Sequence, residues 1–204
     1  MKISYGITVH NEQEELERLL GKLLVSIDEE DEVVICVDGN HKGVRDVIKL
    51  YSIDSRVIHY DRKLDGNFAD HKNSVIEKSS GDYIFHIDAD EYPNKILLQQ
   101  LKQILEINNV DLIWIPRVNT VDGITEQHIQ QWGWRVSEAG WVNYPDYQSR
   151  IFKNSPEIRW KSKVHERIFG AETFSHLPPN ETLSLYHPKT IDKQEKQNKF
   201  YEGL

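Results

Sequence analysis

The stretch Tyr83-Ile84-Phe85-His86-Ile87-Asp88-Ala89-Asp90-Glu91 constrains the fold most, because an apolar run that reads as a buried strand stops abruptly in a cluster of acids. In open α/β sheets, ligands bind just beyond the carboxyl ends of the strands. Two carboxylates at i and i+2 on a backbone that is still extended point to the same side. Asp88 and Asp90 are therefore candidates to share one hard divalent cation, Mg²⁺ or Mn²⁺, which can in turn hold a diphosphate. The alternative is a solvated acidic turn before a helix opened by Pro93, where acids are favoured.

The first half of the chain alternates strand and helix signals. Ile3 to Val9, Glu32 to Val37, Arg56 to Tyr60, Asp82 to Ile87 and Asp111 to Ile115 are rich in Val, Ile and aromatic residues and read as strands. Leu16, Leu19, Leu20, Leu23 and Leu24 recur with the period of an amphipathic helix, and Asn11 with Glu14 forms a candidate capping box for it. Phe68, Ala69, Val75 and Ile76 give a second helical stripe; Leu97, Leu101, Ile104 and Leu105 give a third, opened by Pro93. This βαβα alternation implies a mostly parallel sheet with helices on both faces.

After about residue 116 the character changes. Turn signals crowd in at Asp122-Gly123, Glu138-Ala139-Gly140 and Tyr144-Pro145-Asp146, and strand-like pieces appear at 148–153, 158–161 and 183–186. All five tryptophans, Trp114, Trp132, Trp134, Trp141 and Trp160, fall from residue 114 onward. Trp132, Trp134, Trp141, Tyr144 and Tyr147 can stack on the C–H faces of sugar rings or pack a small subdomain, and both uses are expected. Gly133 and Gly140 would let such a loop move. No repeat, low-complexity segment or linker divides the chain.

The bulk properties narrow the partners. A chain of 204 residues can bury a core without staples, and the single Cys36, set among valines, excludes a disulfide framework and is compatible with a cytoplasmic location. No apolar stretch reaches membrane-spanning length, and Met1 to Ser4 leads straight into a strand instead of a signal peptide. A net charge of −8 argues against a general nucleic-acid binder, which needs a basic face.

Thr8-Val9-His10-Asn11-Glu12 ends the first strand, where backbone N–H groups and the Thr8 hydroxyl can receive a base or phosphate oxygen or simply start a helix. Asp38, ending the second strand before Gly39, can accept from a base or ribose or form an ordinary turn. Lys72 falls in the first turns of the second helical stripe, within reach of a ligand over the sheet edge. Lys189, Lys193 and Lys196 recur on an expected terminal helix, able to meet a diphosphate or an anionic acceptor but more commonly a solvated face.

The order Thr8 to Glu12, Val37-Asp38-Gly39, Phe68-Ala69 with Lys72-Asn73, Ser80-Gly81-Asp82-Tyr83-Ile84 and Asp88-Ala89-Asp90-Glu91 resembles the family 2 glycosyltransferases of the GT-A fold. It is most similar to the bacterial branch that builds lipopolysaccharide cores and related surface glycans. The resemblance continues through Ser149 to Asn154, Val164-His165-Glu166 and Leu185-Tyr186-His187, and so covers nearly the whole chain. It implies one GT-A domain over 1–204, with a nucleotide-sugar half at 1–116 and an acceptor half with a C-terminal helix at 117–204. It also implies metal-dependent, inverting, non-processive transfer from a nucleoside diphosphate sugar, UDP-linked, to a glycan, lipid-linked or other hydroxyl acceptor.

Carried over by position, Thr8, His10, Asn11, Glu12, Asp38, Lys72, Asp88 and Ala89 bind the nucleotide sugar. Asp88, Asp90 and His187 hold Mn²⁺ or Mg²⁺, although His187 can equally be a turn residue before Pro188. Glu166 is the general base, with Asp146 as second choice; the alternative is a surface ion pair of His165 and Glu166 with Arg167. The chain departs from the family in having one acid after strand two, in His165-Glu166 where an acid pair is common, and in lacking the Gln-x-x-Arg-Trp signature of processive synthases. Two rival readings remain, a sugar-phosphate nucleotidyltransferase and an inactive sugar- or nucleotide-binding protein of the same fold. The first normally carries a glycine-rich loop after strand one, and residues 8–12 contain no glycine.

Overall fold

The computed structural model describes residues 1–202. β1 (Ile3–Val9), β2 (Glu32–Val37), β3 (Val57–Asp61) and β4 (Tyr83–Asp88) form a parallel block. The helices α1 (Gln13–Leu23), α2 (Lys42–Tyr51) and α3 (Phe68–Lys78) connect its strands. Beyond β4 come β5 (Tyr92–Pro93), α4 (Lys95–Asn108), β6 (Leu112–Asp122), α5 (Glu126–Trp132) and β7 (Val142–Lys153). A small hairpin of β8 (Arg159–Lys161) and β9 (Arg167–Phe169) follows, then β10 (Phe174–His176), β11 (Leu185–Thr190) and α6 (Ile191–Glu202).

The main sheet runs β3-β2-β1-β4-β7-β6-β11-β5, with β10 also pairing β6. β7 is antiparallel to both β4 and β6, whereas β10 and β11 lie parallel to β6. The expected mostly parallel α/β sheet is present, and β7 stitches the two halves of the chain into it.

Alternation along the strands decides the layers. Ile3, Tyr5, Ile7, Val33, Ile35, Phe85 and Ile87 face the leucines of α1 and α4 and the valines of α2 in the larger core. On the opposite face, Ile84 packs with Ala69 and Ile76 of α3 and with Phe152, Ile158 and Trp160. Val34 and Cys36 meet Val75 there. His86 and Asp88 share the parity of Ile84, so they emerge on the α3 side.

Several local expectations are corrected. α1 begins at Glu12 without a side-chain cap, so the Asn11–Glu14 capping box is absent; the Glu12 carboxylate instead accepts from the backbone N of His10 at 2.8 Å and of Asn11 at 3.0 Å. Pro93 does not open α4: it lies in β5, and Asn94 caps the helix by accepting from the backbone N of Ile96. α2, with Val44, Val47 and Ile48 buried, fills the interval between β2 and β3 that carries only a weak periodic signal. β6 continues through Pro116 to Asp122, and Lys189 sits on β11 instead of the terminal helix.

His86 is wholly enclosed, its ring edge-on to Trp160 at 5.6 Å, and burial pushes its pKa from 6.5 down to about 4. Between those values the unfolded chain takes up a proton that the folded chain refuses, so stability falls as pH drops from about 6.5 toward 4. Urea titrations across that window should lose about 3 kcal/mol from this group, and His86→Phe should flatten the slope. An unchanged slope in the variant assigns the pH dependence elsewhere.

Candidate active site at the ends of β1, β2 and β4

The carboxyl ends of three parallel strands open into one cleft. Thr8, His10, Glu12, Asp38, Lys72, Asp88 and Ala89, which the family resemblance assigns to the nucleotide sugar, all line it, together with Asp90, His165 and Glu166. Asn11 does not: it is exposed beside the cleft. Asp38 is held in place, one oxygen accepting from the backbone N of Leu64 at 3.2 Å and the other 3.3 Å from His10 Nδ1. Leu64, Phe68 and His71 supply walls that the sequence did not signal, because they come from the loop before α3 and from its buried flank.

A second cavity shares Lys72, Asp88, Asp90, His165 and Glu166 with the first and extends to Arg117, Gln148, Arg150, Trp160 and His187. Its chemistry is set by buried charge. β4 ends at Asp88, and a turn follows in which Glu91 N donates to the Asp88 carbonyl at 2.8 Å. The backbone is thus no longer extended between Asp88 and Asp90, and the two carboxylates find separate partners. Asp88 pairs with Lys72 Nζ at 3.1 Å and with Arg150 Nη2. Burial raises its pKa, but Arg150 and Lys72 outweigh burial and hold the carboxyl well below the usual range. Asp90 Oδ2 lies 3.4 Å from His187 Nε2 and 3.4 Å from Lys193 Nζ. Against its burial, the His187 contact and the Lys193 charge likewise hold it low.

Glu91 does not cap a helix. It is 1 % exposed and joins Arg150 Nη2 at 2.9 Å to Arg117 Nη1 at 2.6 Å. Arg117 then grips Asp146 with Nε at 2.9 Å and Nη2 at 2.7 Å, while Asn119 and Gln148 donate to the same carboxylate at 2.9 and 2.8 Å. The acceptor positions of Asp146 are largely committed. The signal for Arg150 in the sequence is an arginine directly before the apolar Ile151-Phe152, and its partners Asp88 and Glu91 come from the end of β4 and the turn after it.

Glu166 arrives on the hairpin of β8 and β9. Ser162 and His165 take left-handed conformations, φ 79° and 55°, and the Lys163 carbonyl accepts from Phe68 N at 3.0 Å, fastening the loop to the start of α3. The Glu166 carboxylate then meets Lys72 Nζ at 2.7 Å, not Arg167, which rules out the surface-pair alternative for this group. Burial raises its pKa and Lys72 lowers it by more, so Glu166 is ionised. Lys72, 5 % exposed, therefore bridges Asp88 and Glu166 while its ammonium lies 4.8 Å over the Trp160 ring. Of the tryptophans, Trp160 is buried, whereas Trp132, Trp134 and Trp141 are partly exposed and Trp134 lines a further cavity beside His187 and Lys189. Gly133 (φ 63°) ends α5, and Gly140 (φ 77°) occupies a left-handed turn position.

Among the described residues, no group of three or more His, Cys, Asp and Glu side chains is placed to hold a metal ion. Asp90 and His187 do approach each other as a pair. Two protein donors completed by diphosphate oxygens match the way Mg²⁺ and Mn²⁺ are held at phosphate-bearing substrates. Asp88, consumed by Lys72 and Arg150, does not fit that role in this arrangement.

A mostly parallel sheet whose strand ends open into a cleft lined by Asp38, Asp88 and Asp90 is an α/β domain of the GT-A type, the fold of its structural neighbours. The Glycosyl transferase family 2 model matches residues 4–175, and the chain belongs to that family. The SPbeta prophage-derived glycosyltransferase SunS of Bacillus subtilis is 25% identical over 191 residues, covering 91% of this chain and 39% of SunS. An uncharacterized glycosyltransferase of Rickettsia bellii is 32% identical over 110 residues, 53% of this chain and 16% of its own length. The chain thus spans well under half the length of these curated relatives. Among solved structures, S. aureus TarS 1–349 in complex with UDP-GlcNAc has a TM-score of 0.69 at 17% identity, over 93% of this chain and 59% of that one. The mannosyltransferase PcManGT of Pyrobaculum calidifontis, with GDP-Man and Mn²⁺, has a TM-score of 0.50 at 16% identity over 74% of this chain and 44% of that one. At these identities the likeness establishes the fold.

Removing one partner from a buried ion pair strands the other. Arg150→Leu, which leaves Asp88 and Glu91 without their shared cation, should cost about 3–5 kcal/mol in denaturant melts. Lys42→Ala, which breaks an exposed pair with Asp46, should cost less than about 1 kcal/mol. Equal losses would mean that the buried chain of charges does not hold the site together.

Proposed function

We propose that this domain transfers a sugar from a nucleoside diphosphate sugar, UDP-linked, to a hydroxyl acceptor with inversion at the anomeric carbon. One observation carries the reading: Glu166, Lys72, Asp88 and Asp90 line both the cavity bounded by Asp38 and the adjoining cavity bounded by His187. A nucleoside in the first and a sugar in the second would put the diphosphate at their junction. Supporting it, the structural neighbour TarS binds UDP-GlcNAc, and the neighbour PcManGT binds GDP-Man with Mn²⁺.

In this reading Asp38 accepts a hydrogen bond from the base, and Thr8, His10 and Glu12 border the nucleoside. Asp88 orients Lys72 toward the diphosphate. Asp90 and His187 would hold Mn²⁺ or Mg²⁺, which supplies positive charge to the departing diphosphate. Lys193 and Lys189 approach the same place from the C-terminal side, and burial lowers the pKa of Lys189. The acceptor oxygen attacks the anomeric carbon and gives its proton to Glu166; the bond to the diphosphate oxygen breaks, and that oxygen takes the electron pair. Asp146, its acceptor positions occupied by Arg117, Asn119 and Gln148, is the weaker candidate for the base. The acceptor, a glycan or another hydroxyl compound, lines up on the 117–204 side. No helix among the described residues is long and apolar enough to cross a membrane.

A thermal-shift screen of nucleotide sugars with and without Mn²⁺ tests the donor. A true donor at 100- to 1,000-fold above its Kd should stabilise the fold by about 3–4 kcal/mol. If no nucleotide sugar moves the transition under either condition, the reading is wrong.

Glu166→Gln should keep the donor-induced shift and lower turnover by about 10²–10⁴-fold. Asp90→Ala should remove the Mn²⁺-dependent part of the shift. Full turnover in Glu166→Gln would remove Glu166 as the base, and donor binding without any turnover in the wild-type chain would favour an inactive binding protein.

A further inference from the structure

We propose that Asn119 and Asp146 are positioning residues that fix His187 as the Nδ1–H tautomer and turn its Nε2 lone pair toward Asp90. The inference rests on the reading of Asp90 and His187 as the pair that holds a divalent cation.

Burial raises the pKa of Asp146, but Arg117 and the amide donors around it hold it low, so it is an ionised carboxylate and can only accept hydrogen bonds. The Asn119 group 2.9 Å from Asp146 Oδ2 must therefore be its amide nitrogen. That fixes the amide, and Asn119 Oδ1 then faces His187 Nδ1 at 2.8 Å. An amide oxygen has no hydrogen to give, so Nδ1 carries the proton. A neutral imidazole with hydrogen on Nδ1 has its lone pair on Nε2. In the neutral ring that Nε2 and Asp90 Oδ2, 3.4 Å apart, are both acceptors, whereas the protonated ring donates to Asp90; the cation nearest the pair is Lys193 Nζ, 3.4 Å from the same Oδ2, at a place a metal ion would take over. Imidazoles that bind metals commonly give their other N–H to such a partner, which fixes the ring and raises its basicity.

The sheet register builds this relay. Arg117 and Asp146 are direct partners across β6 and β7. Asn119 stands two residues further along β6, on the same face, and is the direct partner of His187 across β6 and β11. The orientation of the imidazole is thus determined by backbone pairing and a committed carboxylate, not by the aspartate it faces.

Two measurements test this on the full chain, neither of which reads turnover. Long-range ¹H–¹⁵N NMR of the metal-free protein at mildly alkaline pH reports which His187 nitrogen carries hydrogen. A Mn²⁺ titration followed by electron paramagnetic resonance, with UDP present to supply the diphosphate oxygens, reports affinity. The wild type should show Nδ1–H. Asn119→Leu should populate the Nε2–H form and weaken Mn²⁺ binding by about 10–100-fold. The exchanged pair Asn119→Asp with Asp146→Asn, which keeps the net charge and an acceptor at 119, should recover both signals. If Asn119→Leu retains the wild-type tautomer and Mn²⁺ affinity, or if the exchanged pair folds and fails to recover either, the relay is refuted. Wild-type protein that binds no Mn²⁺ but shows the predicted tautomer response would uphold the relay and overturn the metal-holding role of Asp90 and His187.

Discussion

The site depends on the ion pairs that run through the interior where β4 stops. Asp88 cannot remain ionised in that environment without Lys72 and Arg150, nor Glu91 without Arg150 and Arg117. Charges taken out of water are stable only when geometry and further hydrogen bonds compensate their lost hydration. Because Lys72 comes from α3, Arg150 from β7 and Arg117 from β6, satisfying these acids forces elements from both halves of the chain to converge. The same requirement then carries outward: Lys72 reaches Glu166 on the β8–β9 hairpin, and Arg117 reaches Asp146 beside Asn119.

This arrangement separates two tasks that a single strand end is often asked to perform. Asp88 serves the cations of the cleft, whereas Asp90 faces His187 and Lys193. The division follows from one backbone event, the turn after Asp88, which ends the alternation that would have kept both carboxylates on one side. A nucleotide sugar bound across both cavities would meet positive charge from α3 on one side and from β11 and α6 on the other. Glu166, paired with Lys72, lines both cavities.

Much of this was legible from residue order. The apolar runs of β1, β2 and β4 mark interior strands, and Thr8, Asp38 and Asp88 at their carboxyl ends mark the edge at which the cleft opens. The leucine periods found α1 and α4 because each buries a continuous stripe. Where reading failed, local chemistry had been overridden. The Asn11–Glu14 cap lost to Glu12, whose carboxylate satisfies the same stretch of backbone from within the turn. Pro93 was drawn into β5 because β11 pairs with it, and Asn94, with a free side-chain oxygen, was the better cap. α2 leaves little periodic signal because its three buried aliphatics over ten residues form a short stripe.

What the sequence determined by itself is the layered α/β architecture, the edge of the sheet that carries the cleft and most of the residue types within it, since these follow from periodicity and from acids that terminate apolar runs. Tertiary structure alone decided how those residues are partnered: that Asp88 belongs to Lys72 and Arg150, that Asp146 is tied up by Arg117 and Asn119, and that Glu166 lies beside Lys72. Such pairings join positions dozens of residues apart in the chain, through strand register and loop conformation. A one-dimensional pattern holds no record of distance across a sheet, and the energy of a buried charge is settled by distance.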